Sequence, residues 1–298
     1  MLFRIVKSGL AAAFVSALSF PSSVIADPAA PPQADAAAQL YQEGLSLLGK
    51  PGANGSDPAK ARELLAKAAD GGHPKAKGAL GYLLLTGLGG PKDEAAALVL
   101  LQDAAAVGVP SAQVNLAKML ENSGATQRNL PAAIEWYEKA ADQGSIDARL
   151  RLIDLYYFGT ESMTPDFARA LPHVKAAAAA GNATAQNLLG TMFEFGQAVE
   201  PNPADARHWF REAAMQGDAK AQSNLGRLIR QHSTGEAEML ESYQWIRLSA
   251  EQGEITAKVI LSDFEKGFSD SQKELAAQWI AEFRQKHPDA TRKYAEKP

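Results

Sequence analysis

The sequence predicts an all-α chain built as a solenoid of about seven antiparallel helix pairs. Three observations carry this. First, Gly72, Gly108, Gly144, Gly181, Gly217 and Gly253 are separated by 36, 36, 37, 36 and 36 residues. Second, alanine stands four residues after each glycine (Ala76, Ala112, Ala148, Ala185, Ala221, Ala257) and leucine eight after (Leu80, Leu116, Leu152, Leu189, Leu225, Leu261). Spacings of four fall on one helical stripe. Third, only 7% of the residues are aromatic and no sustained alternating β pattern occurs. A period of this length means one unit stacked on itself, and such stacks present a long surface to another molecule.

Residues 1–26 read as a secretory signal peptide. Arg4 and Lys7 form a positive start, an apolar stretch runs from Leu10 to Phe20, and Val24-Ile25-Ala26 supplies the small residue before a cut at Asp27. The competing reading, an uncleaved anchor, needs a longer apolar stretch. No cysteine follows that could carry a lipid, and the chain has none at all, which suits an oxidising compartment. The expected location is periplasmic or secreted, with no stable membrane insertion once the leader is removed. Residues 27–35, rich in Pro and Ala, read as a linker.

The solenoid is expected over 36–286. Gln39 to Leu48 reads as the first helix of a degenerate opening unit, with Leu40, Leu45 and Leu48 as its stripe, and Gly49 to Ser56 as a glycine-rich loop. Positions in the later units are counted from the glycine. The first helix starts just after it, with Pro74 and Pro110 at early positions tolerant of proline. At +12 it carries Leu84, Leu120, Tyr156, Phe193 and Ile229, and it ends near Gly87, Gly124, Gly159 and Gly196. The second helix starts at −15, where Asp57, Asp93, Asn129, Asp166 and Asn202 are good N-caps and Glu238 takes the sixth place. It carries small residues at −4 and −3. A bulky residue at −8 (Leu64, Leu100, Trp136, His173, Trp209, Trp245) is expected to fill the gap between layers. The glycine closes the helix in the left-handed conformation, where a side chain would clash. Ser269 to Lys286, with Leu275, Trp279 and Phe283, reads as a capping helix, and 287–298 as a frayed tail.

The units contain Ala112-Gln113-Val114-Asn115-Leu116 and Ala221-Gln222-Ser223-Asn224-Leu225, then Leu189-Gly190-Thr191-Met192-Phe193-Glu194-Phe195-Gly196, then Ala133 to Gly144 with Trp136-Tyr137 and Lys139-Ala140-Ala141. This pattern resembles the Sel1-like repeat, a relative of the tetratricopeptide repeat, over roughly residues 57–267. The resemblance implies a right-handed α-superhelix that mediates protein–protein contacts. The absence of cysteine makes the chain similar to the cysteine-free periplasmic members. Some of those regulate exopolysaccharide synthesis by holding a sensor kinase inactive, and others are scaffolds of polysaccharide export. Cysteine-rich relatives imply a further alternative, an enzyme acting on cell-wall material or β-lactams. Function is read as a non-enzymatic scaffold or regulator whose partner is another protein, such as an envelope sensor or secretion component.

The residues themselves point away from catalysis. Losing Arg4 and Lys7 with the leader leaves 28 basic against 34 acidic residues, a charge of −6. No basic stripe invites nucleic acid or an anionic membrane surface. His73, His173, His208, His232 and His287 show no metal-ligand spacing, and no cofactor or metal site is expected. No Gly-x-Ser-x-Gly or β-lactamase constellation occurs. Gly87-Leu88-Gly89-Gly90 lacks the strand and the Lys-Ser/Thr of a phosphate loop and sits at an inter-helix turn. His173 and the tryptophans share the phase of Leu64 and Leu100, so packing is the expected role.

By analogy with tetratricopeptide repeats, a groove along the first helices is expected at +3, +6, +10 and +13. The partner-binding candidates there are Tyr82, Leu85, Lys118, Glu121, Asp154, Tyr157, Asn187, Thr191, Glu194, Arg227 and Arg230. Tyr82, Leu85 and Tyr157 are expected to be exposed anchors. The middle of the groove, with Glu121, Asp147, Asp154 and Glu194, reads as acidic, and the following unit, with Lys220, Arg227 and Arg230, as basic. An ordinary solvated helix face is the alternative.

Overall fold

A computed structural model of the chain describes residues 32–49, 55–122 and 128–288. The expected leader, residues 27–31 of the expected linker, Gly124 and residues 289–298 of the expected tail lie outside the described residues. Among the described residues fourteen α-helices follow one another as seven pairs. They are α1 (Pro32–Ser46) with α2 (Pro58–Asp70), α3 (Pro74–Thr86) with α4 (Glu94–Ala106), and α5 (Pro110–Glu121) with α6 (Leu130–Asp142). Then come α7 (Ile146–Ile153) with α8 (Phe167–Ala179), α9 (Ala183–Phe195) with α10 (Pro203–Met215), α11 (Ala219–His232) with α12 (Glu236–Glu251), and α13 (Ile255–Phe264) with α14 (Asp270–Lys286). The fold is the right-handed α-solenoid expected.

The six periodic glycines have φ between +82 and +94° and each follows a second helix. Around each, the glycine N–H and the next N–H return to the two alanine-row carbonyls, as Gly144 N–H does to Ala141 and Ser145 N–H to Ala140. This satisfies carbonyls the helix end leaves orphaned. Asp57, Asp93, Asn129, Asp166 and Asn202 all accept a backbone N–H of their second helix. The sixth cap departs from expectation: α12 starts from Gly235 with no side-chain cap bond, three residues before Glu238.

Two further boundaries differ. The stretch read as a linker to residue 35 is already helical from Pro32, because proline at the first turn, Asp35 near the positive end and an alanine run all favour helix. Ala37 and Gly44 are buried and Leu40 and Leu48 pack half-buried against the core, whereas Leu45 of the expected stripe is exposed. At the other end α14 packs back on α12, with Trp279 4.9 Å and Phe283 5.5 Å from Trp245 by ring centroid.

The core corrects the expected phase of the second helices by one residue. The bulky side chain that is fully buried stands at −7, not −8: Leu65, Leu101, Tyr137, Val174, Phe210 and Ile246. At −8, Leu64 and Trp245 are buried as expected, whereas Leu100, Trp136, His173 and Trp209 sit on the shoulder and are only half-buried. The first helix answers at +9 with Gly81, Ala117, Gly190 and Gly226, and with the larger Ile153 only opposite Val174. A methyl on Gly81 would lie 2.8 Å from Leu101 Cγ, and one on Gly190 2.6 Å from the Phe210 ring. Glycine is required there for close approach of the two helices.

Candidate functional site

The structure divides the expected groove into two rows. On a helix of 3.6 residues per turn, +3 and +10 share one line and +6 and +13 share another, about 60° away. The +3 and +10 line faces outward: Lys75, Ser111, Asp147, Thr184, Lys220 and Thr256 are exposed, as are Tyr82, Lys118 and Asp154. Thr191 and Arg227 on the same line are half-buried. The +6 and +13 line turns into the seam with the next unit. Gly78, Val114, Asn187 and Ser223 are buried there, and Leu85 is half-buried.

The seam accounts for three of the expected charges, Glu121, Glu194 and Arg227. Arg227 grips Glu194 with both guanidinium arms, at 2.7 and 2.6 Å. Arg151 bonds Glu121 through Nε at 3.0 Å and through a second N–H, and Tyr137 O–H donates to the same carboxylate at 3.0 Å. The two carboxylate side chains are only 8% and 11% exposed. Burial alone would raise the Glu121 carboxyl, but Arg151 and Tyr137 outweigh it and hold it below its ordinary value. Burial and the Glu121 charge push the Tyr137 hydroxyl far up. Glu121, Glu194 and Arg227 are thereby neutralised across the seams, whereas Asp147 and Asp154 in the middle and Lys220 and Arg230 in the following unit stay exposed. Arg230 stays exposed and lies 4.6 Å over the Phe264 ring.

Tyr157 is a second correction. It is 9% exposed, not an open anchor. Helix α7 widens into a π turn over Asp154–Phe158. A π turn holds more residues per turn, so Tyr157 lags in phase and swings under the helix. Its ring packs edge-on against Phe167 at 5.2 Å, and its hydroxyl donates to Gln197 Oε1 at 2.9 Å.

Sequence reasoning missed a glutamine ladder. Gln113, Gln186 and Gln222 at +5 donate to the carbonyls of Ala105, Ala178 and Ala214 before them, and accept from Gln143, Gln216 and Gln252 at the end of the second helix of the same pair. The signal was present. Glutamine at +5 recurs with glutamine just before the next glycine, and where Arg149 replaces the first, Ala180 replaces the second. On the second-helix side, Glu138 gathers Tyr156 at 2.8 Å and His173 at 3.2 Å. Burial lowers the His173 pKa more than Glu138 raises it. Among the described residues no group of three His, Asp or Glu is placed to hold a metal ion. No helix among them is long and apolar enough to cross a membrane.

What remains open on the first-helix face is a row of polar and charged side chains with Tyr82 among them, which suits contact with a protein surface. The Sel1 repeat sequence family matches residues 33–73, 74–109, 110–145, 148–182, 183–218 and 219–254. The chain belongs to the Sel1 repeat family. Repeats of this family generally mediate protein–protein contacts and are generally non-catalytic. The Sel1 match takes in α1 and α2 as a full unit and ends before α13. Among solved structures, a Sel1 repeat protein from Oxalobacter formigenes superposes with a TM-score of 0.58 at 26% identity, covering 74% of this chain and 90% of that one. The protective antigen c5321 of uropathogenic Escherichia coli, which displays an SLR fold, superposes with a TM-score of 0.56 at 22% identity, over 88% of this chain and 64% of that one. In sequence, chitin synthase regulatory factor 4 of Schizosaccharomyces pombe is 33% identical over 105 residues. That stretch is 35% of this chain and 17% of the fungal protein.

Proposed function

We propose that this Sel1-repeat chain is a non-enzymatic periplasmic scaffold that holds another protein along the open row of its first helices and regulates it. The observation that carries the reading is the division of the face. Most of the +6 and +13 rows are taken up by stacking, Leu150 and Arg230 excepted, while Tyr82, Lys118, Asp154 and their +3 neighbours stay outward. A frame of stacked helices presents side chains with little ordering cost on binding. The regulated partner on this reading is an envelope sensor kinase or the machinery of exopolysaccharide synthesis. The similarity to a fungal protein named as a regulatory factor of chitin synthase supports a regulatory role near polysaccharide synthesis. The leader expected at residues 1–26 supports the location.

The test is site-specific photo-crosslinking in intact cells. A crosslinking residue replaces Tyr82, Lys118 or Asp154 in turn, and captured proteins are identified by mass spectrometry. Envelope proteins captured at these positions, and not at exposed second-helix positions such as Glu135, are the expected result. Absence of capture at all three sinks the scaffold reading. The same preparation shows whether the N-terminus begins at Asp27 and whether the protein stays in the periplasmic fraction. Hydrolysis of nitrocefin or peptidoglycan by the purified protein would overturn the non-enzymatic assignment.

A further inference from the structure

The repeat supplies its own control for reading the seams. At +6 the internal units bury Gly78, Val114, Asn187 and Ser223, whereas Leu150 stays half open. Between α7 and α9 the stack is parted into a cleft of about 210 Å³, with Leu150, Ile153 and Phe158 on one wall and Ala185 and Leu188 on the other. Phe158 stands at its mouth, 61% exposed. The neighbouring seams are closed on this face by Glu121 with Arg151, and by Glu194 with Arg227 and Asn187 with Asn224. Among the described residues the side chains of α7 and α9 themselves make no such bridge beside the cleft; this seam is crossed past the end of α9 by Tyr157 O–H to Gln197. The glutamine ladder lacks its rung there, with Arg149 and Ala180 in place.

The cleft is smaller than the roughly 300–1,000 Å³ of small-molecule sites and suits one aliphatic side chain. Its rim is acidic. Asp147 and Asp154 flank Leu150 three residues before and four after, so they lie on the same helix face. Asp154 is 56% exposed, and its nearest cation, Arg151 at 3.5 Å, is already held by Glu121. Across the cleft α9 offers the uncharged Thr184 and Thr191. An apolar notch between two carboxylates is complemented by an apolar side chain between two cations.

We propose that this notch docks a segment of another protein in which one leucine-like side chain lies between basic residues. The inference rests on the scaffold reading and specifies the chemistry of its partner. The experiment uses the full chain and a fluorescein-labelled peptide with one leucine between two pairs of lysines, followed by anisotropy. One twin replaces leucine by alanine, and a second replaces the lysines by glutamates. The parent chain should bind the first peptide saturably at low salt, the alanine twin about tenfold more weakly, and the glutamate twin not at all. Asp147→Asn with Asp154→Asn, and separately Phe158→Ala, should each weaken the first peptide about tenfold with an unchanged circular dichroism spectrum. Equal binding of the three peptides, or binding indifferent to these substitutions, overturns the proposal. So does a concentration-dependent dimer in sedimentation that Phe158→Ala abolishes, since the notch then belongs to a second copy. If no peptide binds while crosslinks at Tyr82 and Lys118 still capture envelope proteins, the notch assignment falls and the scaffold reading stands.

Discussion

Replacing Gly226 by alanine tests the close approach that sets the spacing of each helix pair. A β-carbon there would lie 2.6 Å from Ile246 Cγ1, 2.9 Å from the Ser242 carbonyl oxygen and 3.2 Å from the Ile246 nitrogen. Ordinary carbon–carbon contact is about 3.5–4.0 Å. Neither obstacle can swing aside, because Ile246 is fully buried and the other atoms are backbone. Helices α11 and α12 must part by up to roughly 1 Å, which also strains the buried bond from Ser242 Oγ to the Gly226 carbonyl at 2.6 Å. Overpacking of this kind costs about 1–3 kcal/mol. A weakened buried hydrogen bond adds about 1 kcal/mol. Alanine returns about 1 kcal/mol in helix propensity. The net expectation is a loss of about 2 kcal/mol, or roughly 4–8 °C in the thermal midpoint of a chain this size. Thermal and urea unfolding followed by circular dichroism measure it. A Gly226→Ala protein as stable as the parent, or more stable, would refute the reasoning, since an unobstructed helical glycine gains stability on the same change.

Gln222→Ala removes a ladder rung, leaves the Gln252 side-chain amide without its acceptor and the Ala214 carbonyl with backbone donors such as the Gly217 N–H alone, so a loss of about 1–3 kcal/mol is expected in urea unfolding. Tyr157→Ala should cost about 3–5 kcal/mol by the same measurement, because the ring is buried, and any loss of partner binding must be read against that. Arg151→Met should cost about 2 kcal/mol at neutral pH. The lowered Glu121 pKa makes its contribution whole above about pH 4.5 and lost as pH falls through the folded value, so acid titrations of parent and variant should converge. Burial lowers the His173 pKa against the pull of Glu138 and Asp142, with Arg149 adding to the lowering. Its stability contribution is therefore present above about pH 6.5 and lost as pH falls through the lower folded value. His173→Gln should flatten the unfolding midpoint across that window.

Much of the architecture was legible because helix capping is local. A glycine in left-handed conformation, an Asp or Asn accepting an N–H three residues on, and alanine at +4 act through backbone geometry that recurs with the period. Caps of the first helices were also readable but passed over: Ser145, Asn182 and Asp218 each accept the N–H three residues later. The second-helix stripe was placed one residue off, since −8 and −7 are neighbours on the same helix. Tryptophan at −8 drew attention from the smaller residues at −7 that the +9 glycines receive.

The candidate groove was less legible, and the reason is angular. Periodicity gives the phase of a residue on its own helix, but it does not give the tilt of the next helix. A 60° difference decides whether a residue faces solvent or a seam. Glu121, Asn187 and Glu194 fell into seams, Tyr82 and Lys118 stayed outside, and a π turn with no clear sequence signal moved Tyr157 inward.

The sequence by itself determined the repeat, its period and most of the residues that cap and close each helix, because those depend on contacts within a few positions along the chain. The tertiary structure alone decided which charges cancel across seams, which glycines exist for lack of space, and where the stack stays parted at Leu150. Those outcomes depend on the distance and angle between helices some 30 residues apart, which the packing of side-chain volumes sets and no single unit contains.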